Sequence, residues 1–312
     1  VTKAKNLSAE VKSVEYNGKP VFKLSDWKDK KPYARVAELA VDFKLRIARP
    51  ADDGRGLGEE VAMVNAMLDT LNADEKKKFN VELVPPGAEA DLRLAVLRES
   101  DLPRDESKGV AAAPSDAPAL WFLPSSGEIA SMDEKERPPL IVIHKDDPAK
   151  LAENTARNLT TIFRATSLSK LAVASDYKPD KFSIQFMVKP EDSDEMAPLD
   201  GASVPFVHSG DEIHGKAENK SGKLVDVNIL YVGSDYSITH IDSQRLADGA
   251  VIEEGLLGFT DKSFGMERMI AVLTEATPQS EIEDLKYLEQ DGVPRTTRSA
   301  AVGAEAGFAA ML

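Results

Sequence analysis

The chain has 312 residues, which at roughly 150 residues per domain predicts two domains, and its 42% apolar content lets each bury a core. A formal net charge of −14 repels phosphate backbones and anionic bilayers, so nucleic acid and membrane insertion drop out as expected partners. There is no cysteine, which excludes disulfides, thiolate metal sites and a cysteine nucleophile while leaving the redox compartment open.

Residues 1–34 are polar and Lys-rich, and Asn17-Gly18 between short apolar runs predicts a hairpin. Val41, Phe43, Leu45 and Ile47 alternate with polar residues, the period-two pattern of a half-buried strand in an antiparallel or mixed sheet. Gly54, Gly56 and Gly58 then lead into a helix with Val61, Val64, Leu68 and Leu71 on one face and Glu59 and Glu60 in its first turn. Val81 and Leu83 form a short strand, and Leu92, Leu94 and Val96 another. The second is expected to pair with Leu120-Trp-Phe-Leu123 across a long polar insert, 98–117, of a composition that predicts mobility. Leu140-Ile-Val-Ile143 reads as a buried strand. Asp147 as N-cap and Pro148 at the first helical position start a helix that runs to about Ser175.

From Phe182 onward only strands are expected: 182–188, 204–209, 212–219, 224–232, 237–241 and 266–274, with Gly233-Ser-Asp235 closing a hairpin. Phe182, Phe186, Val225, Val227, Ile229, Tyr231, Ile270 and Val272 would fill the space between two sheets. Residues 191–198 form an acidic loop, and Ser280 opens a short helix with Leu285 and Leu288 on one side. The organisation predicted is a linker with a hairpin over 1–34, an α+β domain with a mixed sheet and a few helices over 35–178, an all-β immunoglobulin-like sandwich over 179–279, and a helical tail over 280–312. The opening at Val1 and the Ala-rich end without a stop signal read as a piece of a longer protein.

Chemistry-bearing motifs are few. The glycines at 54, 56 and 58 have the spacing of neither a dinucleotide nor a Walker loop, and Asp52, Asp53, Glu59 and Glu60 would repel phosphate, so they read as a helix entry. His208 and His214 with Asp211 could hold a metal but lack tight ligand spacing. His240 reads as a core-edge residue, Ser125-Ser126-Gly127 as a turn rather than a nucleophile elbow, and Trp121 and Phe122 as core. No metal or cofactor is expected.

Residues 225–238 read Val-Asp-Val-Asn-Ile-Leu-Tyr-Val-Gly-Ser-Asp-Tyr-Ser-Ile, and residues 264–274 read Phe-Gly-Met-Glu-Arg-Met-Ile-Ala-Val-Leu-Thr after a Leu-x-x-Gly turn at 246–249. Together they resemble the C-terminal β-rich domain of unknown function attached to bacterial caspase-like peptidases, the metacaspases and orthocaspases. The resemblance is firm over 204–276 and loose over 35–175. It implies an accessory module with the catalytic domain placed before Val1. Because the family's chemistry needs a His-Cys dyad, no catalytic residue carries over to this cysteine-free chain. The resemblance leaves localisation, cytoplasmic or periplasmic, undecided. Three readings follow: a module that docks on, regulates or targets a caspase-like peptidase; an independent binding module for a protein or envelope ligand; and a hydrolase built around His208 and His214. For the first two, the 224–241 hairpin is the expected contact surface, with Asp235, Tyr236 and His240 near its turn and Tyr236 either in the contact or packed over the turn.

Overall fold

The computed structural model of the chain describes residues 14–16, 19–22, 43–102, 115–129, 132, 137–173, 178, 180–199, 205–260 and 265–295. Contacts divide the chain into two units, Val1–Asp42 and Phe43–Leu312. In the first, β1 (Val14–Tyr16) and β2 (Lys19–Phe22) pair antiparallel. The expected hairpin strands are there, while the Asn17-Gly18 turn lies outside the described residues.

In the second unit, β3 (Leu45–Ala48), α1 (Gly58–Ala73), β4 (Val81–Val84), β5 (Leu92–Leu97), β6 (Ala119–Leu123), β7 (Leu140–Val142) and α2 (Pro148–Val173) follow one another. The strands form one mixed sheet in the order β4-β3-β5-β6-β7. β3 runs parallel to β4 and β5, as the crossover through α1 requires, and β6 and β7 add antiparallel. The β5–β6 pairing expected from the sequence is present, although residues 103–114 of the insert between them lie outside the described residues. Both helices cover one face of the sheet: Val64 and Leu68 of α1 and Leu159 and Ile162 of α2 share a buried cluster with Leu45, Ile47, Leu92, Leu120 and Phe122. On the other face Trp121, Leu123 and Leu140 are buried under Leu102, Ile129 and Met132 from the connecting segments. Two covered faces explain why β6 is apolar at every position, with Trp121 and its neighbour Phe122 buried in different clusters. The Trp121 indole N–H donates to Leu97 O at 3.2 Å. Asp147 caps α2 as expected, its carboxylate accepting from Lys150 N at 3.0 Å.

The remaining strands are β8 (Phe182–Lys189), β9 (Ala197–Pro198), β10 (Glu212–Asn219), β11 (Leu224–Val232), β12 (Ile238–Leu246), β13 (Val251–Gly258) and β14 (Arg268–Ala276). They make two antiparallel sheets, β13-β10-β8-β9 and β12-β11-β14. One buried cluster joins them, with Phe182, Ala217 and Ile252 from the first and Val225, Val227, Ile229 and Leu246 from the second. The described residues thus form two helices and several sheets, none closed.

Four expectations for this region change. Residues 205–208 are not a strand: Pro205 removes a ladder donor, and β9 takes the place beside β8 instead. β13 went unread, although Val251, Glu253 and Gly255 alternate in exposure with Ile252, Glu254 and Leu256. Ile270 and Val272 do not point between the two sheets; they pack with Leu230, Val232 and Ile238 against Ala165 and Leu168 of α2, while Met269, Ala271 and Leu273 take the inner positions. Finally, the described part of the expected helical tail holds only a 3-10 turn, Lys286–Leu288, within an otherwise extended segment. The segment's backbone groups from Ser280 to Leu285 are captured by side chains of β11 and β12, as described next, and are unavailable for helical bonds.

Candidate functional site: the β11–β12 hairpin and the segment across it

β11 carries Asp226 and Asn228 among apolar residues, and both are buried. Buried polar groups need partners, and these find theirs in the chain that crosses the sheet after β14. Asn228 Nδ2 donates to Glu283 O at 2.7 Å, and Asn228 Oδ1 accepts from Leu285 N at 3.0 Å. Asp226 accepts a two-point contact from Arg245 of β12, Nε to Oδ1 at 2.6 Å and Nη2 to Oδ2 at 2.8 Å, and its Oδ2 also accepts from Glu283 N at 2.8 Å. The guanidinium donates further to Ser280 O at 2.7 Å and Glu281 O at 2.8 Å. Beside Asp226 its pKa is held above the ordinary arginine value, chiefly by that hydrogen bond.

Further along, Ile238 and Gln290 exchange backbone hydrogen bonds, and Gln290 Nε2 reaches Tyr236 O at 2.7 Å and Thr161 O of α2 at 3.0 Å. Val293 then enters the core of the mixed sheet at 2% exposure. The crossing segment therefore ties the three-stranded sheet to α2 and to the first core.

The three residues singled out from the sequence sit at or beside the hairpin turn. Gly233 N donates to Ser237 O at 3.1 Å, Tyr236 N to Gly233 O at 2.9 Å, and Ser237 N to Asp235 Oδ1 at 2.9 Å. Asp235 O accepts from Val293 N at 2.7 Å. Tyr236 has φ 68°, the left-handed region that hairpin loops of this length usually give to glycine. Its ring packs against the cluster of the mixed sheet and the cluster beneath α2, and burial pushes its phenol pKa up, with Arg268 pulling the other way. Glu267 is nearby: burial raises its carboxyl, the Tyr231 hydrogen bond opposes this, and the charge of Asp235 adds to it.

His240 lies further down β12 with its side chain 11% exposed. Its Nε2 stands 3.2 Å from Asn228 Oδ1, 3.3 Å from Ser243 Oγ and 3.7 Å from Asp284 Oδ1. A serine, a histidine and a carboxylate thus meet, but both oxygens face the same ring nitrogen. A relay needs the hydroxyl on one nitrogen and the carboxylate on the other, so this arrangement orients the imidazole without activating the serine. Asp226, Asn228 and Arg245 were not singled out from the sequence. The available signal was the placement of two polar residues inside a strand apolar on both sides.

The other sequence candidates lie elsewhere. His208 is 81% exposed with Nδ1 3.8 Å from Asp211, and His214 Nε2 lies 3.3 Å from Glu212. Among the described residues no three His, Asp or Glu side chains gather as a metal site. In the glycine loop Gly54 N donates to Asp52 at 3.0 Å and Arg55 N to Asp53 at 3.3 Å, which occupies donors that an anion would need. Behind it Glu60 is buried; burial alone would raise its carboxyl, but a backbone hydrogen bond and Lys145 bring it below the ordinary value. Ser125 and Ser126 form a turn closed by Gly127 N on Pro124 O at 2.9 Å. Among the described residues no helix is long and apolar enough to cross a membrane.

Compared with protein-family models and with curated proteins, the chain matches none.

Proposed function

We propose that the chain is an accessory interaction module of the kind attached to bacterial caspase-like peptidases, engaging the catalytic domain or another protein rather than performing chemistry itself. The observation that carries this reading is the use made of the hairpin's polar groups. Asp226, Asn228, Arg245 and His240 all bond within the chain, chiefly to the backbone of the crossing segment or to one another. A hydrolytic site must keep its nucleophile and base directed at substrate. The absence of any cysteine removes the dyad that the peptidases use. The two stretches that carry the resemblance fall on β11 and β14, which are paired neighbours over nine residue pairs, from Leu224 with Ala276 to Val232 with Arg268. We read the two antiparallel sheets as the leaves of an immunoglobulin-like sandwich, supported by the cluster they share.

The test is to mix the purified chain with a bacterial caspase-like catalytic domain and follow association and peptide cleavage together. Association that changes cleavage, with no cleavage by the chain alone, is the expected result. Hydrolysis by the chain alone that disappears in His208→Ala or His214→Ala would replace this reading with the hydrolase. A second reading, strand addition by a partner peptide, is favoured by one observation: among the described residues β13 pairs only with β10, leaving its other edge open.

A further inference from the structure

The segment between α1 and β4 carries three consecutive lysines, Lys76, Lys77 and Lys78, in a chain with a net charge of −14. They line a cleft of about 250 Å³ between the end of α1 and the flank of α2. Leu71, Phe79 and Ala156 supply an apolar floor, and Arg157 of α2 adds a fourth cation. Asp74 is the single acidic residue in the lining, and its Oδ1 already accepts from Lys76 N at 2.8 Å.

The four cations are not equivalent. Lys77 Nζ caps the C-terminal end of α1, bonding Asn72 O and, at 2.9 Å, Asn72 Oδ1. Arg157 donates to the neutral Asn154 Oδ1 at 2.8 Å. Among the described residues no carboxylate pairs with Lys76, Lys78 or Arg157. Acidic residues outnumber basic ones by 53 to 39 in the chain, so four cations against one carboxylate around a single cleft are a local inversion of the protein's field.

We propose that this cleft binds a short acidic segment of a partner protein, with carboxylates on Lys76, Lys78 and Arg157 and an apolar side chain on the Leu71–Phe79–Ala156 floor. The occupant follows from the lining. A bare inorganic anion would leave the floor unused and would find its donors on long side chains in solvent, not on a fixed cradle. A polyanion such as nucleic acid would extend beyond the cleft onto the net acidic surface. A short segment places its charge within about 10 Å of the cations, inside one screening length, and touches little else. This binding is separate from the hairpin reading, because it is measured on the chain alone.

The experiment is fluorescence anisotropy of the whole chain with a short labelled peptide of alternating glutamate and leucine at physiological ionic strength. Saturable binding is expected, weakened at least ~tenfold by Lys76→Glu, Lys78→Glu and Arg157→Glu together and about threefold by Lys76→Glu alone. The melting temperature should be unchanged in either variant; the single variant remains informative if the triple one misfolds. Absence of binding, or binding that ignores the charge reversals, overturns the proposal. Equal affinity for inorganic phosphate would make this a small-anion site, and tighter binding of a DNA duplex a polyanion site. Either also overturns it. Failure of the chain to associate with a caspase-like domain leaves this result untouched.

Discussion

Two polar regions of the molecule use the same kinds of side chain in opposite ways. On β11 and β12, Asp226 and Arg245 bond each other, and Asp226, Asn228 and Arg245 are joined to the backbone of residues 280–285 by hydrogen bonds of 2.7 to 3.0 Å; Asn228 has no exposure at all. At the α1–α2 cleft, Lys76, Lys78 and Arg157 are exposed and without carboxylate partners among the described residues. The first region is architecture: its polar groups replace helical or sheet hydrogen bonds that the segment across them does not make. The second contributes little to the fold and leaves its charge free for a ligand. Polarity alone does not mark a functional surface; what matters is whether the polarity is already satisfied.

This contrast can be broken in several ways, the largest first. Asn228→Ala leaves Glu283 O and Leu285 N without their partners in a dry site, and should cost about 3 kcal/mol of stability in urea unfolding. A loss under about 1 kcal/mol would mean that the crossing segment is held by its apolar contacts alone. Tyr236→Ala should cost about 2 kcal/mol through the emptied space between two clusters; affinity for a caspase-like domain measured on the same variant separates the two roles, an unchanged value making Tyr236 structural and a loss with unchanged stability placing it in the contact.

Thr155 sharpens the rule from the other side. Its hydroxyl is fully buried on α2 and has no partner among the described residues. Replacing it with the isosteric valine should raise stability by about 1 kcal/mol, and a loss would show that the hydroxyl is satisfied after all. The smallest effect concerns Glu254 of β13, whose carboxyl is raised by burial first and then by Asp242, against a hydrogen bond from Gln244 at 2.7 Å. A carboxyl raised on folding stabilises the folded state below its ordinary pKa, and that contribution is lost as pH rises through the raised value. Between about pH 4 and pH 7 the chain should lose slightly more stability than Glu254→Gln does, by under about 1 kcal/mol after solvent screening. Parallel pH curves for the two proteins would place Glu254 in open water.

Much of this fold was legible because it follows local periodicity. Val61, Val64 and Leu68 announce α1, Asp147-Pro148 announces the start of α2, and the alternation at Leu92, Leu94 and Val96 announces β5 and its antiparallel partner. What escaped was non-local. Ile270 and Val272 have the same two-residue period whether they face a second sheet or a helix, so nothing in β14 itself assigns them to α2. The segment after Ser280 has the composition of a short helix, and it is Asp226, Asn228 and Arg245, far earlier in the chain, that draw its backbone into another shape. The candidate hairpin was found by its turn residues, but its polar partners were not, because each of those bonds crosses a long stretch of sequence.

Val293 closes the core of the mixed sheet from far along the chain. It completes a core whose first strand begins at Leu45, and the nearby Gln290 holds both Tyr236 and the backbone of α2 at Thr161. The strands and helices of that core all precede residue 174, so Val293 joins it across more than a hundred residues of intervening chain. Contacts that span so much sequence form late and slowly. A chain that stops just before Val293 would therefore carry every element of that core and still lack one of its buried side chains.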